Sequence, residues 1–399
     1  MTLLSGEFAK WQDWPQTWAQ AFLDRQQGGA HERLGAQHQT LGMDKRLVTQ
    51  CRQVIVYSLA SAGGKNKEFA DASRHVYDFM VANHTGDIPG SYYFSVKPDG
   101  APSDTKLDLY GIAFSLLASA ARFKASGDQA VLDRAAQTLA FIDTHFRHES
   151  GVGFHEALDK DGKPLEDIRR QNPHMHLFEA CSYMYEASGD ENYRRMADEL
   201  LDLFKNNIFD HDKGVVIEFF DDNMQPHADK GAHVEAGHIA EWVWLLERYK
   251  EAFRVEDAEI GTMQGKLFDW IGAHGFDQDH GGIFNAQTPE GAPVDEQKRI
   301  WPLFETLRAA SIMRGVPEHS EFAQEALDHI ESVLTANYIR QDGWWTEINN
   351  RDFTPATDYN PGTTPYHIYG PLIEASAYLK KNDLTLAASG RKNSPHPTL

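Results

Sequence analysis

Apolar residues recur along most of this chain at the spacing of amphipathic helices. Across 239–249 they fall at Ile239, Trp242, Val243, Leu246 and Tyr249, one stripe of a helix. The same period runs through 109–123, 132–146, 177–185, 193–204, 303–313, 322–334 and 368–379. Between these stretches a glycine stands beside a short apolar or aromatic run: Gly90-Ser-Tyr-Tyr-Phe, Gly153-Phe, Gly214-Val-Val-Ile-Glu-Phe-Phe, Gly282-Ile-Phe and Gly343-Trp-Trp. The gaps are 63, 61, 68 and 61 residues. Each run reads as a short β-hairpin, so each interval holds two helices and one hairpin. An earlier pair, over 8–26 and 45–61, supplies a first unit without a hairpin signal.

Six such helix pairs predict an all-α fold, a closed toroid or (α/α)6 barrel, with short β-hairpins in its loops. The pattern is shared by an open solenoid. The count of six, and the absence of an evident polar cap at either end, favour the ring. No linker divides the chain, so residues 1–383 read as one domain. Residues 384–399, rich in Ser, Pro and Asn, read as a loosely ordered tail.

Composition narrows the class. The hydrophobic share of 41% and aromatic share of 11% fit a soluble globular protein. No apolar stretch approaches the roughly 18 residues of a membrane span, and the N-terminus lacks the pattern of a signal peptide. Two cysteines, Cys51 and Cys181, suit a reducing cytoplasm. A net charge of -21 argues against nucleic acid and anionic membrane as partners. It also disfavours a highly anionic substrate unless a local basic pocket holds one.

Candidate chemistry comes from the register of the repeat. At 23, 24 and 24 residues after three of the glycines stand His176, His238 and His367, each near the start of a helical pattern. Equivalent places in a closed repeat share one rim, so the three are expected to converge. In Arg169-Arg-Gln-Asn-Pro-His-Met-His, Asn172 is the expected N-cap and Pro173 the first helical residue. Thr364, Pro365 and His367 repeat the device, and Glu179 falls on the side of His176. His238 and Glu241 share a helical face. The helix dipole lowers a histidine pKa there, while Glu241 is expected to orient His238 and favour its charged form, tuning the histidines apart. Trp301, with Arg299 and Glu305 beside it, and Tyr110 recur at matching offsets, and Trp242, Trp344 and Trp345 are further candidates for the mouth. Aromatic faces beside polar groups suit a sugar ring. His174-Met-His176 is only a weak metal signal, and no zinc pattern, phosphate loop or dinucleotide fingerprint occurs. Neither a metal nor a cofactor is expected.

The segments 170–180 (Arg-Gln-Asn-Pro-His-Met-His-Leu-Phe-Glu-Ala), 237–242 (Gly-His-Ile-Ala-Glu-Trp), 299–302 (Arg-Ile-Trp-Pro) and 365–367 (Pro-Tyr-His) resemble the N-acylglucosamine 2-epimerase superfamily, and within it the D-mannose isomerase branch. The resemblance spans about residues 10–380. It implies an (α/α)6 barrel and cofactor-free isomerisation of a monosaccharide. It also implies roles for His176, His238, His367 and Glu241, and for Arg52 in Cys51-Arg-Gln-Val-Ile-Val-Tyr57. Tyr110 matches a family tyrosine, though its neighbours in Leu109-Tyr-Gly-Ile-Ala-Phe114 depart from the common pattern. The sulfoquinovose isomerase branch carries glutamine near the position of Thr363, and its absence here weakens the case for a sulfonated substrate without excluding one.

The expected reaction is D-mannose to D-fructose through a cis-enediol(ate), with D-lyxose as a further substrate. His367 is the carbon base. His238, oriented by Glu241, moves protons for ring opening, and the two histidines can exchange roles. Arg52 and His176 hold the oxygens at C1 and C2. Trp301, Tyr110, Asn172, Arg299 and Glu305 complete the substrate site. The alternatives are a sugar 2-epimerase, a sulfoquinovose isomerase, a glycoside hydrolase using Glu241 and Glu179, and a non-catalytic sugar binder. The oligomeric state stays open, a homodimer being one option.

Overall fold

Two kinds of helix alternate along the chain in this computed structural model, which describes residues 6–165, 168–340 and 343–392. They are α1 (Trp14–Phe22), α2 (Leu47–Ala60), α3 (Lys67–His84), α4 (Leu109–Ser126), α5 (Gln129–His145), α6 (Gln171–Ser188), α7 (Glu191–Leu203), α8 (Ala236–Phe253), α9 (Ala258–Trp270), α10 (Trp301–Met313), α11 (Ser320–Asn337) and α12 (Thr364–Lys392). The even-numbered helices are buried nearly all round in their first turns, and two of them further: every residue of α10 is buried, as is α2 from Leu47 to Ser58. The odd-numbered ones from α3 on bury one stripe, as α7 does with Tyr193, Met196, Leu200 and Leu203. Asn66, Asp128, Asp190 and Asp257 cap α3, α5, α7 and α9 by accepting backbone N–H groups.

Each even helix packs against the even helices before and after it, and α12 returns to α2, so the inner ring closes. Outside it, α3, α5, α7, α9 and α11 each lie on the helix preceding them. The first unit is not the pair expected. The partner of α2 is α3, while α1 sets Trp18 against Trp345 and Tyr369, next to the last unit. Two outer helices escaped the sequence pattern. The stripe of α9 is interrupted by Gly261 and Gly265, poor helix formers held by packing, and that of α3 is diluted by charged residues.

A sixth hairpin completes the repeat. Leu23 bridges Ala30 around Gly29, whose φ of 70° is left-handed like those of Gly90, Gly153, Gly214, Gly282 and Gly343. Residues just before each even helix then pair with the hairpin of the following unit. The pairs are Lys45 with Val96, Leu107 with Leu158, Arg170 with Phe219, Val234 with Gln287, Lys298 with Asn349, and Pro361 with Arg33. This belt runs full circle on the rim where the inner helices begin, and it separates a closed barrel from an open solenoid. Helix α12 continues to Lys392, past the expected start of the tail, and 393–399 lie outside the described residues. Among the described residues no helix is long and apolar enough to cross a membrane.

Candidate active site

The belt fixes the N-terminal ends of all six inner helices on one rim, and each contributes to one cluster, buried apart from the half-buried Tyr110: Arg52, Tyr110, His176, His238 with Glu241, Trp301 with Glu305, and His367. Trp301 stands between two histidines, its ring centroid 5.1 Å from His238 and 5.3 Å from His367. Gly237 makes that approach possible, because a Cβ there would lie 2.3 Å from the indole.

Each histidine directs Nδ1 at a glutamate and leaves Nε2 for the pocket side. His367 Nδ1 donates to Glu305 Oε1 (2.7 Å), and the other Glu305 oxygen is bonded to Arg308. Burial, with Arg52, Arg308 and Arg299 adding positive charge, holds His367 well below the usual histidine range. Burial also lifts Glu305, and Arg308 opposes that; with both oxygens facing donors, the carboxylate is the acceptor. His176 Nδ1 donates to Glu179 Oε2 (2.9 Å), whose other oxygen accepts from Tyr366 (2.7 Å). Burial pushes His176 down to about 3, against the pull of Glu241. His238 is the opposite case. Burial disfavours its charge, yet Glu218, 2.9 Å from Nδ1, and Glu235, 3.7 Å away, lift it to about 9.

Asn172 lies 3.1 Å from His238 Nε2. A charged His238 donates there, which calls for the Asn172 amide oxygen, an atom otherwise buried without a partner. Arg52 donates to the Tyr110 hydroxyl (2.6 Å) and lies over the Phe114 and Tyr366 rings. Glu241 is fully buried at the centre of the floor with neither oxygen hydrogen-bonded. Three side-chain groups, His176–Glu179–Glu241, Glu241–Glu305–His367 and Glu218–Glu235–His238, bring potential ligand atoms within 4.8 Å and so could hold a cation. Beyond the floor, towards the C-terminal ends of the inner helices, lies a cavity of about 470 Å³ that shares Glu179, Arg308 and Tyr366 as walls.

The N-acylglucosamine 2-epimerase (GlcNAc 2-epimerase) family profile matches residues 28–371. The chain belongs to this family. It is therefore an enzyme of the sugar isomerase and epimerase class. A Rhizobium meliloti protein named mannose-6-phosphate isomerase is 28% identical over 393 residues, covering 95% of this chain and 98% of its own. A cellobiose 2-epimerase of Dictyoglomus turgidum is 26% identical, covering 81% and 85%. A crystal structure of D-mannose isomerase superposes with a TM-score of 0.82 at 20% identity, over 92% of this chain and 96% of that one, and shares the barrel.

Within the family fold several sequence expectations change. Glu241 does not orient His238. Its side chain points to the floor beside Arg308, 3.9 Å away, while Glu218 from the preceding hairpin takes the imidazole. Glu305 sits behind His367, fully buried, where it touches the histidine and Arg308. Asn172 and Thr364 lie inside their helices and cap nothing: Asn172 faces His238, and Thr364 donates to Glu347 (2.8 Å). Both nitrogens of His174 are engaged by backbone, Nδ1 with the Arg170 carbonyl and Nε2 with the Phe154 N–H, so it turns away from His176. Trp242 stacks on Phe178 and Phe204, and Trp344 and Trp345 pack on Phe22; all three are core residues. Arg299 stands at the mouth with 41% of its side chain exposed.

The sequence reading missed Glu218, Tyr366 and Arg308. Glu218 had a signal: a glutamate follows the hairpin glycine within four residues at Glu32, Glu156, Glu218 and Glu347. Tyr366 and Arg308 had none, because their role depends on which helix faces cross the barrel axis.

Proposed function

We propose that this protein interconverts D-mannose and D-fructose by proton transfer through a cis-enediol(ate). The observation that carries the proposal is the pair of histidines against Trp301, each with Nδ1 on a buried glutamate, one held neutral and the other charged. Neutral His367, with Nδ1 on Glu305, offers Nε2 to the C2 proton of the open-chain sugar. It returns that proton to C1 while the C2 hydroxyl proton passes to the C1 oxygen, leaving the carbonyl at C2. His238, an imidazolium below about pH 9, gives its proton to the ring oxygen on opening and recovers one from the anomeric hydroxyl. Arg52 supplies positive charge beside the developing enediolate. His176, neutral and donating to Glu179, accepts a substrate hydroxyl at Nε2 rather than stabilising negative charge. Only protons move, so the chemistry asks for no cofactor. The relatives named for mannose 6-phosphate and D-mannose isomerisation support this choice of reaction.

A second product follows from the same geometry. His238 and His367 both lie against Trp301, and on this reading a proton returned to C2 by His238 from the face opposite His367 would give glucose. The test is an NMR time course of D-mannose with EDTA in D2O. Fructose as the main product, carrying deuterium at C1 in so far as the proton held by His367 exchanges with solvent before its return, supports the isomerase. Glucose deuterated at C2 as the main product makes it an epimerase. Recovery of unlabelled mannose alone rejects both.

A further inference from the structure

Units one, three and five each place two basic residues on the short strand before the inner helix: Lys45-Arg46, Arg169-Arg170 and Lys298-Arg299. Strand alternation sends the two side chains of each pair to opposite faces. The first is buried and tied to hairpin carbonyls: Lys45 to Gly28 and Pro98, Arg169 to Phe154 and Asp222, Lys298 to Gly281 and Arg351. The second stands at the mouth, with side-chain exposures of 40% for Arg46, 39% for Arg170 and 41% for Arg299. The charges of Arg46 and Arg170 reach Tyr110, and that of Arg299 reaches His367.

The three are not equivalent in charge. Arg46 and Arg170 each donate through Nε to a glutamate 14 residues earlier, Glu32 (2.7 Å) and Glu156 (2.6 Å). The same step back from Arg299 lands on Asn285, which turns away and donates to Asp295 (2.7 Å). The nearest acid to Arg299 is Glu347, at 3.9 Å, which already accepts from Trp345 and Thr364; Glu235 feels the charge of Arg299 from further off, with no ion pair between them. Arg299 Nε has no partner. Its guanidinium lies 5.9 Å from the ring centroid of Trp301, the aromatic shelf between the two histidines. On a protein of net charge -21, the change from glutamate to asparagine leaves one weakly paired cation at the mouth.

We propose that Arg299 receives an anionic substituent, a phosphate ester or a sulfonate, at the end of the hexose remote from its reacting carbons. The inference rests on the isomerase reading above and specifies its substrate class. A guanidinium matches such oxyanions with paired N–H donors and stays charged at any working pH.

The test compares kcat/KM of the full-length protein for D-mannose, D-mannose 6-phosphate and 6-deoxy-6-sulfo-D-mannose. One anionic sugar is expected to exceed mannose by about tenfold or more, and which one does so names the group. Asn285→Glu restores the carboxylate that units one and three carry. It should cancel most of that advantage while changing mannose turnover by less than about threefold. Arg299→Gln should shrink the same ratio. Equal turnover of all three sugars, or an Asn285→Glu variant that slows all three alike, overturns the proposal. If no sugar is turned over, the isomerase reading falls, and calorimetry with sorbitol 6-phosphate against sorbitol decides the anion site by itself. Binding tighter by about tenfold, and lost in Asn285→Glu, keeps the site; equal binding removes it.

Discussion

His238 and His367 occupy matching places, yet one is charged and the other neutral. Both begin inner helices on the same rim, both lie against Trp301, and both donate Nδ1 to a buried glutamate. The helix dipole pushes both towards the neutral form. What separates them lies one bond further out. Glu218 meets the neutral amide of Gln171 at 3.2 Å, and Glu235 adds a second negative charge. Glu305 is bonded on its far side to Arg308, with Arg52 and Arg299 adding positive charge near His367. A carboxylate raises its histidine only as far as its own charge is left unspent.

The hardest test of this contrast is His367→Ala. On the proposed mechanism it removes the carbon base and lowers turnover by about a thousandfold or more, with circular dichroism unchanged. Activity within about tenfold of the parent removes His367 from that role. Glu218→Gln comes next. It takes away the charge that lifts His238, so kcat should fall by about a hundredfold. The alkaline limb of its pH profile, expected near 9 in the parent, should move to lower pH. An unmoved limb assigns it to another group. Gly237→Ala acts on the shelf between the two sides. A methyl 2.3 Å from Trp301 must displace the indole, which costs about 1–3 kcal/mol of stability and should raise KM more than it lowers kcat.

The smallest effect is on the pH dependence of Tm. His238 is raised from 6.5 to about 9 on folding, so its contribution is full below 6.5 and is lost as pH rises towards 9. His176 is lowered from 6.5 to about 3, so its contribution is full above 6.5 and is lost as pH falls towards 3. These two groups favour a maximum near pH 6.5, and Glu218→Gln should flatten the alkaline side alone. A parent Tm that holds level from pH 6.5 to 9 contradicts the lifted pKa.

The ring and the convergence of three histidines were legible because both are written in period: apolar stripes at helical spacing, and histidines at matched offsets from a hairpin glycine. The partners of those histidines were not. Glu241 sits one helical turn from His238 and invited the pairing, yet its side chain lies beside Arg308 while His238 leans towards Glu218 in the preceding hairpin. Contacts along one helix can be counted from sequence, whereas contacts between hairpin and helix depend on how the belt is tilted. Asn172 shows the same limit, since a residue suited to capping was drawn into the pocket by His238. The gap at Asn285 is visible in the sequence only once Glu32 and Glu156 are known to hold arginines.

The bridge from Arg33 to Pro361 sets an order of events in the life of the molecule. Emerging from the ribosome, the chain can stack its first helices as it is made, yet the circle stays open until the final helix arrives with His367. Contacts between chain ends so far apart in sequence form slowly, because the entropy of closing the loop is lost before packing repays it. A nascent or C-terminally clipped chain therefore offers Arg52 and Trp18 no α12 to lie against. It exposes apolar inner faces to whatever chaperone or protease is near, and it cannot begin proton transfer on a half-built barrel.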